Sequence, residues 1–222
     1  MSTRAALAWL QLELTIQPIV EGHGDVAAVP VLLRRFVAEA QVWPVRIGRP
    51  IRQPRGQLVG EAGVKRVVRL ACVQPNCGAV LMLFDGDSDC PAELGPIVHR
   101  WATAAAGGVP CGVVLAHREF EAWFLAAIES LRGRRGIRLD AETPPDPENP
   151  RGANEQLELR MHRGASYMET ADQPAFSEQF SLSVAYRRSR SFRKLANSFG
   201  NLVQSMGHDI DAWPPATWTA GV

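Results

Sequence analysis

Residues 79–84 read AVLMLF and are followed at once by an acidic turn, Asp85-Gly86-Asp87. The six apolar residues do not alternate with polar ones, which is typical of a strand buried on both faces. Such strands lie inside parallel sheets that helices cover on either side. The stretch therefore predicts a central strand of an α/β fold, with a polar turn at its carboxyl end.

The flanking segments continue an alternation of strand and helix along the chain. Further strands are predicted at residues 12–20 (LELTIQPIV), 42–47 and 112–116 (GVVLA). Helices are predicted at residues 26–40, about 59–73, 93–106 and 119–131, where apolar residues recur at helical spacing. We therefore predict a parallel sheet of about four strands with helices on both faces.

The character of the chain changes after this alternation. We expect an α/β domain over residues 1–136, a Pro-rich acidic loop over 137–152, and an Arg-rich helical extension over 153–222 packed on the same domain. Asp25 is expected to be the N-cap of the first helix.

Composition narrows the class of protein. The chain has 222 residues and a formal net charge of +1, so overall charge predicts no polyanionic partner. Its four cysteines lack the spacing of a paired zinc knuckle, so we expect reduced thiols in a cytoplasmic protein. No apolar run approaches the roughly 18 residues of a membrane span, and oligomerisation stays open.

Carboxylates follow three of the predicted strands. Glu21 follows the first strand, Asp85 and Asp87 follow residue 84, and Glu119 and Glu121 come shortly after residue 116. Because the carboxyl ends of parallel strands share one edge of a sheet, these side chains are expected to converge. Carboxylate oxygens suit magnesium, so Glu21, Asp85 and Asp87 predict a divalent metal site. The alternative is that these carboxylates merely cap the following helices.

Two short motifs extend this interpretation. Residues 20–25 (VEGHGD) and 84–87 (FDGD) resemble the signatures of the Toprim domain, the metal-dependent phosphoryl-transfer fold of topoisomerases, primases and OLD-type nucleases. Most of the chain is similar to a family of small stand-alone bacterial Toprim proteins related to RloB. The stretches that carry this similarity are 21–35 (EGHGDVAAVPVLLRR), 83–91 (LFDGDSDCP), 119–126 (EFEAWFLA), 167–176 (YMETADQPAF) and 189–195 (SRSFRKL).

The resemblance implies a role for individual residues. Glu21 corresponds to the Toprim glutamate, a metal ligand or general acid/base, and Asp85 and Asp87 correspond to the pair that holds Mg2+ or Mn2+. The candidates for a second metal are Asp25, Asp89, Glu119 and Glu121.

The implied activity is Mg2+-dependent hydrolysis of phosphodiester bonds in DNA or RNA. The family context suggests an ABC-type or OLD-like ATPase partner and a part in phage defence. Tyr167 and Tyr186 lack the context of a covalent nucleophile, so strand passage is not expected. Two alternatives stay open. One is a haloacid-dehalogenase-like phosphatase with Asp85 as nucleophile, and the other is a non-catalytic regulatory partner that binds metal or nucleic acid.

Two basic segments are candidates for nucleic-acid binding. Arg46, Arg49, Arg52 and Arg55 recur every third residue among prolines, which in a polyproline-type segment places them on one edge. A second cluster consists of Arg187, Arg188, Arg190, Arg193 and Lys194, where Ser189 and Ser191 add hydroxyls that suit phosphate contacts. The alternatives are a solvated loop and a charged helix surface.

Overall fold

The computed structural model describes residues 13–149, 152–210 and 212–220. Its centre is a parallel sheet of five strands: β1 (Leu14–Val20), β2 (Val45–Ile47), β3 (Ile51–Arg52), β4 (Cys77–Asp85) and β5 (Cys111–Ala116). The order is β2-β1-β4-β5, and β3 also pairs with β1. The predicted α/β class with a parallel sheet is confirmed.

The additional strand, β3, continues the same edge of the sheet as β2. Both pair with β1, β2 opposite its first half and β3 opposite its end. Between them the Gln17 side chain donates a hydrogen bond to the carbonyl of Arg49 at 2.6 Å. Pro50 lacks an N–H group for the ladder, which helps to explain the interruption.

Helices alternate with most of the strands in the first half of the chain and are the named elements of the described second half. In the first half these are α1 (His23–Glu39), α2 (Arg55–Leu58), α3 (Glu61–Cys72), α4 (Pro91–Ala105) and α5 (Ala122–Ala126), followed by a 3-10 helix (Ile128–Leu131). The second half contains α6 (Ala153–Glu158), α7 (Glu169–Gln179), α8 (Leu182–Arg188), α9 (Arg190–Ser205) and α10 (Ala216–Thr219).

Strand β4 separates two apolar layers. Leu81 and Leu83 belong to the layer with α1, α5, α7 and α9, whereas Met82 and Phe84 belong to the layer with α3 and α4. All four side chains are fully or almost fully buried. Burial on both faces is the physical reason for the unbroken apolar run in the sequence.

The C-terminal helices share the core of the sheet. Phe192 and Phe199 of α9 contact the ring of Phe36 on α1 at centroid distances of 5.7 and 5.4 Å. Phe192 also contacts Trp123 of α5, edge to face. The first and last thirds of the chain therefore meet around one aromatic cluster.

Two local predictions were wrong. Helix α1 begins after Gly22, so Asp25 lies inside its first turn, where its side chain accepts the Gly22 N–H at 2.8 Å. The predicted helix over residues 119–131 is divided into α5 and the 3-10 helix. Residues 1–12, 150, 151, 211, 221 and 222 belong to the predicted segments but lie outside the described residues.

Within the described part of the chain, no helix is both long and apolar enough to cross a membrane. Cys72, Cys77, Cys90 and Cys111 are free cysteines. Burial raises the pKa of Cys77 to about 11 and that of Cys111 to about 12, so these two thiols are protonated at neutral pH.

Candidate metal centre

Strand pairing places the predicted carboxylates at one edge of the sheet. Val20, the last residue of β1, lies opposite Leu83 of β4. Glu21 therefore lies at the same edge of the sheet as Asp85, where β4 ends. Asp85 in turn lies opposite Ala116, the last residue of β5, and the segment that carries Glu121 follows.

The acidic turn after β4 depends on the residue between its two aspartates. The N–H of Gly86 donates to the carbonyl of Ala116 at 2.8 Å, and that of Asp87 donates to the carbonyl of Arg118 at 2.9 Å. A Cβ on Gly86 would lie only 2.8 Å from the Ala116 oxygen, so the close approach requires glycine. Asp87 adopts a left-handed backbone conformation with a φ of 47° and is half exposed.

Arg55 occupies the outer side of this turn. Its guanidinium donates to the backbone carbonyls of Asp85 and Gly86 and forms ion pairs with Asp87 and Asp89. It also lies 3.7 Å from Oε2 of Glu21. Arg55, predicted to contact nucleic acid, is therefore engaged by the acidic turn, and it compensates the charges of Asp87 and Asp89.

The inner carboxylates are not compensated in this way. Within the described residues, no lysine, arginine or histidine forms an ion pair with Asp25, Asp85 or Glu121. Asp85 accepts the backbone N–H of Phe120 at 2.9 Å, which fixes its side chain.

Burial and repulsion between like charges act on Asp25, Asp85 and Glu121, and also on Glu21. Burial, followed by the charges of Glu121, Asp25 and Glu21, raises the pKa of Asp85 well above its ordinary value. Burial is also the largest cause that raises the pKa of Asp25 and of Glu21. It raises the pKa of Glu121 to about 7. Such a group is costly to ionise without a cation.

Glu119 is oriented away from this group. Its two carboxylate oxygens accept the backbone N–H groups of Gly152 at 3.0 Å and Ala153 at 2.7 Å. Glu119 thus binds the beginning of α6, and the structure does not bring it together with Glu21 and Asp85.

Three polar residues near α7 complete the surroundings, and the sequence analysis did not assign them to the site. The Tyr167 hydroxyl donates to Oε1 of the buried Glu121 at 2.7 Å. Glu169 accepts the N–H of Gly24 at 3.0 Å, and Gln173 donates to Asp25 at 3.0 Å. The available signal was the spacing of Glu169 and Gln173, which places both on one face of a helix.

The donor set fits a hard divalent cation. The inner groups are carboxylate oxygens, and Oε2 of Glu21 is buried without a hydrogen-bond partner. In the described part of the chain, no three acidic, histidine or cysteine side chains already converge as a preformed metal cage. The guanidinium of Arg55 lies within 3.7 Å of carboxylate oxygens of Glu21, Asp87 and Asp89.

The first predicted basic segment is not one continuous polyproline strand. Arg46 lies in β2, Arg52 in β3, and Arg55 at the start of α2. Arg46 pairs with Glu13, while Arg49 and Arg52 are exposed. Arg52 lies next to Glu21, since its guanidinium is 3.5 Å from the Glu21 carbonyl oxygen.

The second basic cluster is largely engaged within the protein. Arg193 donates to the carbonyls at the end of α8, Arg188 pairs with Glu129, and Arg187 reaches the carbonyl of Thr217. Arg190 and Lys194 are exposed.

The two serines of this cluster bind a carboxylate of the chain itself. The hydroxyls of Ser189 and Ser191 both donate to Oε1 of the buried Glu148. The backbone N–H groups of Arg190 and Ser191 donate to the same carboxylate. Glu148 thus occupies the beginning of α9, where the sequence had suggested phosphate.

Comparison with known proteins gives one match. A family described as a domain of unknown function (DUF4276) matches residues 20–199, a span that contains the whole candidate metal centre. No curated protein and no solved structure matches the chain. The chain belongs to the DUF4276 family.

Proposed function

We propose that this protein is an Mg2+-dependent Toprim-type nuclease that hydrolyses phosphodiester bonds of DNA or RNA. The observation that carries the proposal is the group of buried and half-buried carboxylates at the carboxyl ends of β1, β4 and β5. Glu121 is buried and Asp85 is half-buried, and neither has an ion-pair partner among the described residues. Proteins seldom retain uncompensated buried charges unless a cation or a reaction requires them.

Glu21 and Asp85 would hold the first ion, and Asp87 would join them once Arg55 releases its carboxylate. Asp25 and Glu121 are the proposed inner ligands of a second ion. We exclude Glu119 because its oxygens bind α6. A divalent cation bound at such a site supplies Lewis acidity and makes water a stronger nucleophile at neutral pH.

The chain's own residues prepare this site and its surroundings. Tyr167 holds the carboxylate of Glu121 in one orientation through its hydroxyl. Burial raises the pKa of that tyrosine, which makes it unsuited to act as a covalent nucleophile. Arg52, exposed and close to the Glu21 carbonyl, and the exposed Arg49 are the proposed contacts for the phosphates flanking the reacting group.

The resemblance to RloB and OLD-type proteins leads us to include an ABC-type or OLD-like ATPase as a proposed partner. A role in phage defence and a cytoplasmic location belong to the same proposal. The partner, the role in defence and the location rest on the resemblance and not on the geometry of the carboxylates.

The test is cleavage of plasmid, single-stranded DNA and tRNA with Mg2+ or Mn2+, with and without a neighbouring ATPase. We expect Asp85→Asn and Glu21→Gln to lose at least 100-fold in rate, because each removes a ligand charge. Glu93→Gln, an exposed change on α4, is the matched control and should cut like the wild type. Metal binding without cleavage of any substrate in any pairing would contradict the nuclease and favour a regulatory binding protein.

A further inference from the structure

We propose that helix α7 supplies a second divalent-cation site through the Glu169 carboxylate and the amide oxygen of Gln173, next to Asp25. This inference rests on the proposed metal-dependent function and deepens it. It assigns ligands that lie about 150 residues after Glu21 in the sequence, in the C-terminal helical part of the chain.

The glycines of the turn after β1 leave space for these oxygens. A Cβ on Gly24 would lie 2.1 Å from Oε1 of Gln173 and 2.9 Å from Oε1 of Glu169. A Cβ on Gly22 would lie 3.0 Å from the same Glu169 oxygen and 3.1 Å from Oδ2 of Asp25. Oxygens of three side chains therefore lie close to Gly22 and Gly24, which have no side chains of their own.

Gln173 gives an independent indication of a ligand. Its side chain is almost fully buried, and its Nε2 donates to Oδ1 of Asp25 at 3.0 Å. This bond defines the orientation of the amide, because the amide nitrogen donates and the Asp25 oxygen accepts. The amide oxygen Oε1 is then left buried with no hydrogen-bond partner. An unsatisfied buried carbonyl is destabilising, and a bound cation would satisfy it.

Glu169 adds a negative charge to the proposed site and connects the site to solvent. One of its oxygens accepts the N–H of Gly24, yet the residue as a whole is exposed, so an ion can enter from solvent. Its negative charge adds to the group formed by Asp25 and Glu121 and contributes to raising the pKa of both. Carboxylate and amide oxygens together are ligands that Mg2+, Mn2+ and Ca2+ accept.

The packing of α7 on α1 brings both ligands to the proposed site. Glu169 and Gln173 are four residues apart on one helical face, and that face meets α1 directly above the Gly22–Gly24 turn. A purely structural role for Glu169 would end with its hydrogen bond to Gly24. A ligand role requires in addition that Glu169 affects the number of ions bound.

The experiment is titration of the full chain with Mn2+, followed by calorimetry and by the spin resonance of free Mn2+. We expect the wild type to bind two ions and Glu169→Gln to bind one. Gln173→Leu, which removes the amide oxygen together with the hydrogen bond to Asp25, should bind the second ion at least ten-fold more weakly. Glu178→Gln, exposed on the same helix, is the control and should bind two ions.

The outcomes separate the two proposals. If the wild type binds Mn2+ and Glu169→Gln binds the same number with unchanged affinity, the α7 site is refuted and the first metal site stands. If Asp85→Asn removes all binding while Glu169→Gln removes one ion, both proposals are supported. If the wild type binds no Mn2+, the proposed metal centre itself fails, and the α7 site fails with it.

Discussion

Replacing Glu121 by glutamine should stabilise the metal-free protein. Burial raises the pKa of Glu121 from 4.5 to about 7 in the folded protein. At about 1.4 kcal/mol for each factor of ten in the dissociation constant, ionising this group costs about 3 kcal/mol of folding free energy. Glutamine removes the cost and still offers an oxygen to the Tyr167 hydroxyl.

The sign of the pH dependence follows from the raised pKa. Below about pH 4.5 the group is protonated in both the folded and the unfolded state, so it has no effect on stability. The cost grows as the pH rises towards about 7 and is complete above it. We therefore expect Glu121→Gln to gain about 3 kcal/mol at pH 8 and less than about 1 kcal/mol at pH 5.

Urea denaturation in EDTA at these two pH values measures the gain, and thermal denaturation at pH 8 should show a rise of about 6 to 12 °C. Glu93→Gln, which is exposed on α4, should change stability by less than about 0.5 kcal/mol at either pH. A glutamine variant of position 121 that is no more stable than the wild type at pH 8 would refute the reasoning. An equal gain at both pH values would refute it as well.

Three further changes probe the surroundings of the site. Gly24→Ala should lower the free energy of unfolding, measured in urea, by about 1–3 kcal/mol, because the new Cβ would lie 2.1 Å from the Gln173 oxygen. This cost should exceed the gain from the higher helix preference of alanine. Unchanged stability would contradict the close contact. Arg55→Ala should lower the free energy of unfolding by about 1–3 kcal/mol, because the carbonyls of Asp85 and Gly86 lose their hydrogen-bond donor and the acidic turn loses its positive charge. A melting temperature no lower than that of the control Arg69→Ala, which changes an exposed residue, would contradict this. Glu148→Ala should cost about 2–4 kcal/mol at pH 7, because four donors at the start of α9 lose their acceptor. Burial alone would raise the pKa of Glu148, but the hydrogen bonds from the start of α9 lower it below its ordinary value. The stabilisation by Glu148 is therefore present above about pH 4.5 and should fade in urea titrations as the pH falls below that value. A stabilisation that does not change with pH would contradict this.

Local patterns in the sequence were enough to predict most of the fold. The run of residues 79–84 marked β4 because burial on both faces leaves no position for a polar side chain. The strand β3 has only two residues and follows Pro50, so it offers no periodicity to detect. The break after α5 was also missed, since the apolar spacing of residues 119–131 continues through it.

The grouping of the carboxylates was predictable only where it follows from the order and direction of the strands. Parallel strands end at one edge, so Glu21 and Asp85 could be placed together from their positions after strands. The roles of Glu169 and Arg55 depend on contacts between distant segments, which no local pattern encodes. The position of Glu119 depended likewise on the start of α6, more than thirty residues later.

Binding of Mn2+ to the wild type and to Asp85→Asn at pH 8 tests the central claim most directly. Asparagine keeps an oxygen for the Phe120 N–H but removes the charge at the centre of the site. The account predicts that the wild type binds Mn2+ and that Asp85→Asn, folded and at least as stable without metal, loses this binding by at least 100-fold. Equal Mn2+ affinity in the two proteins would contradict it.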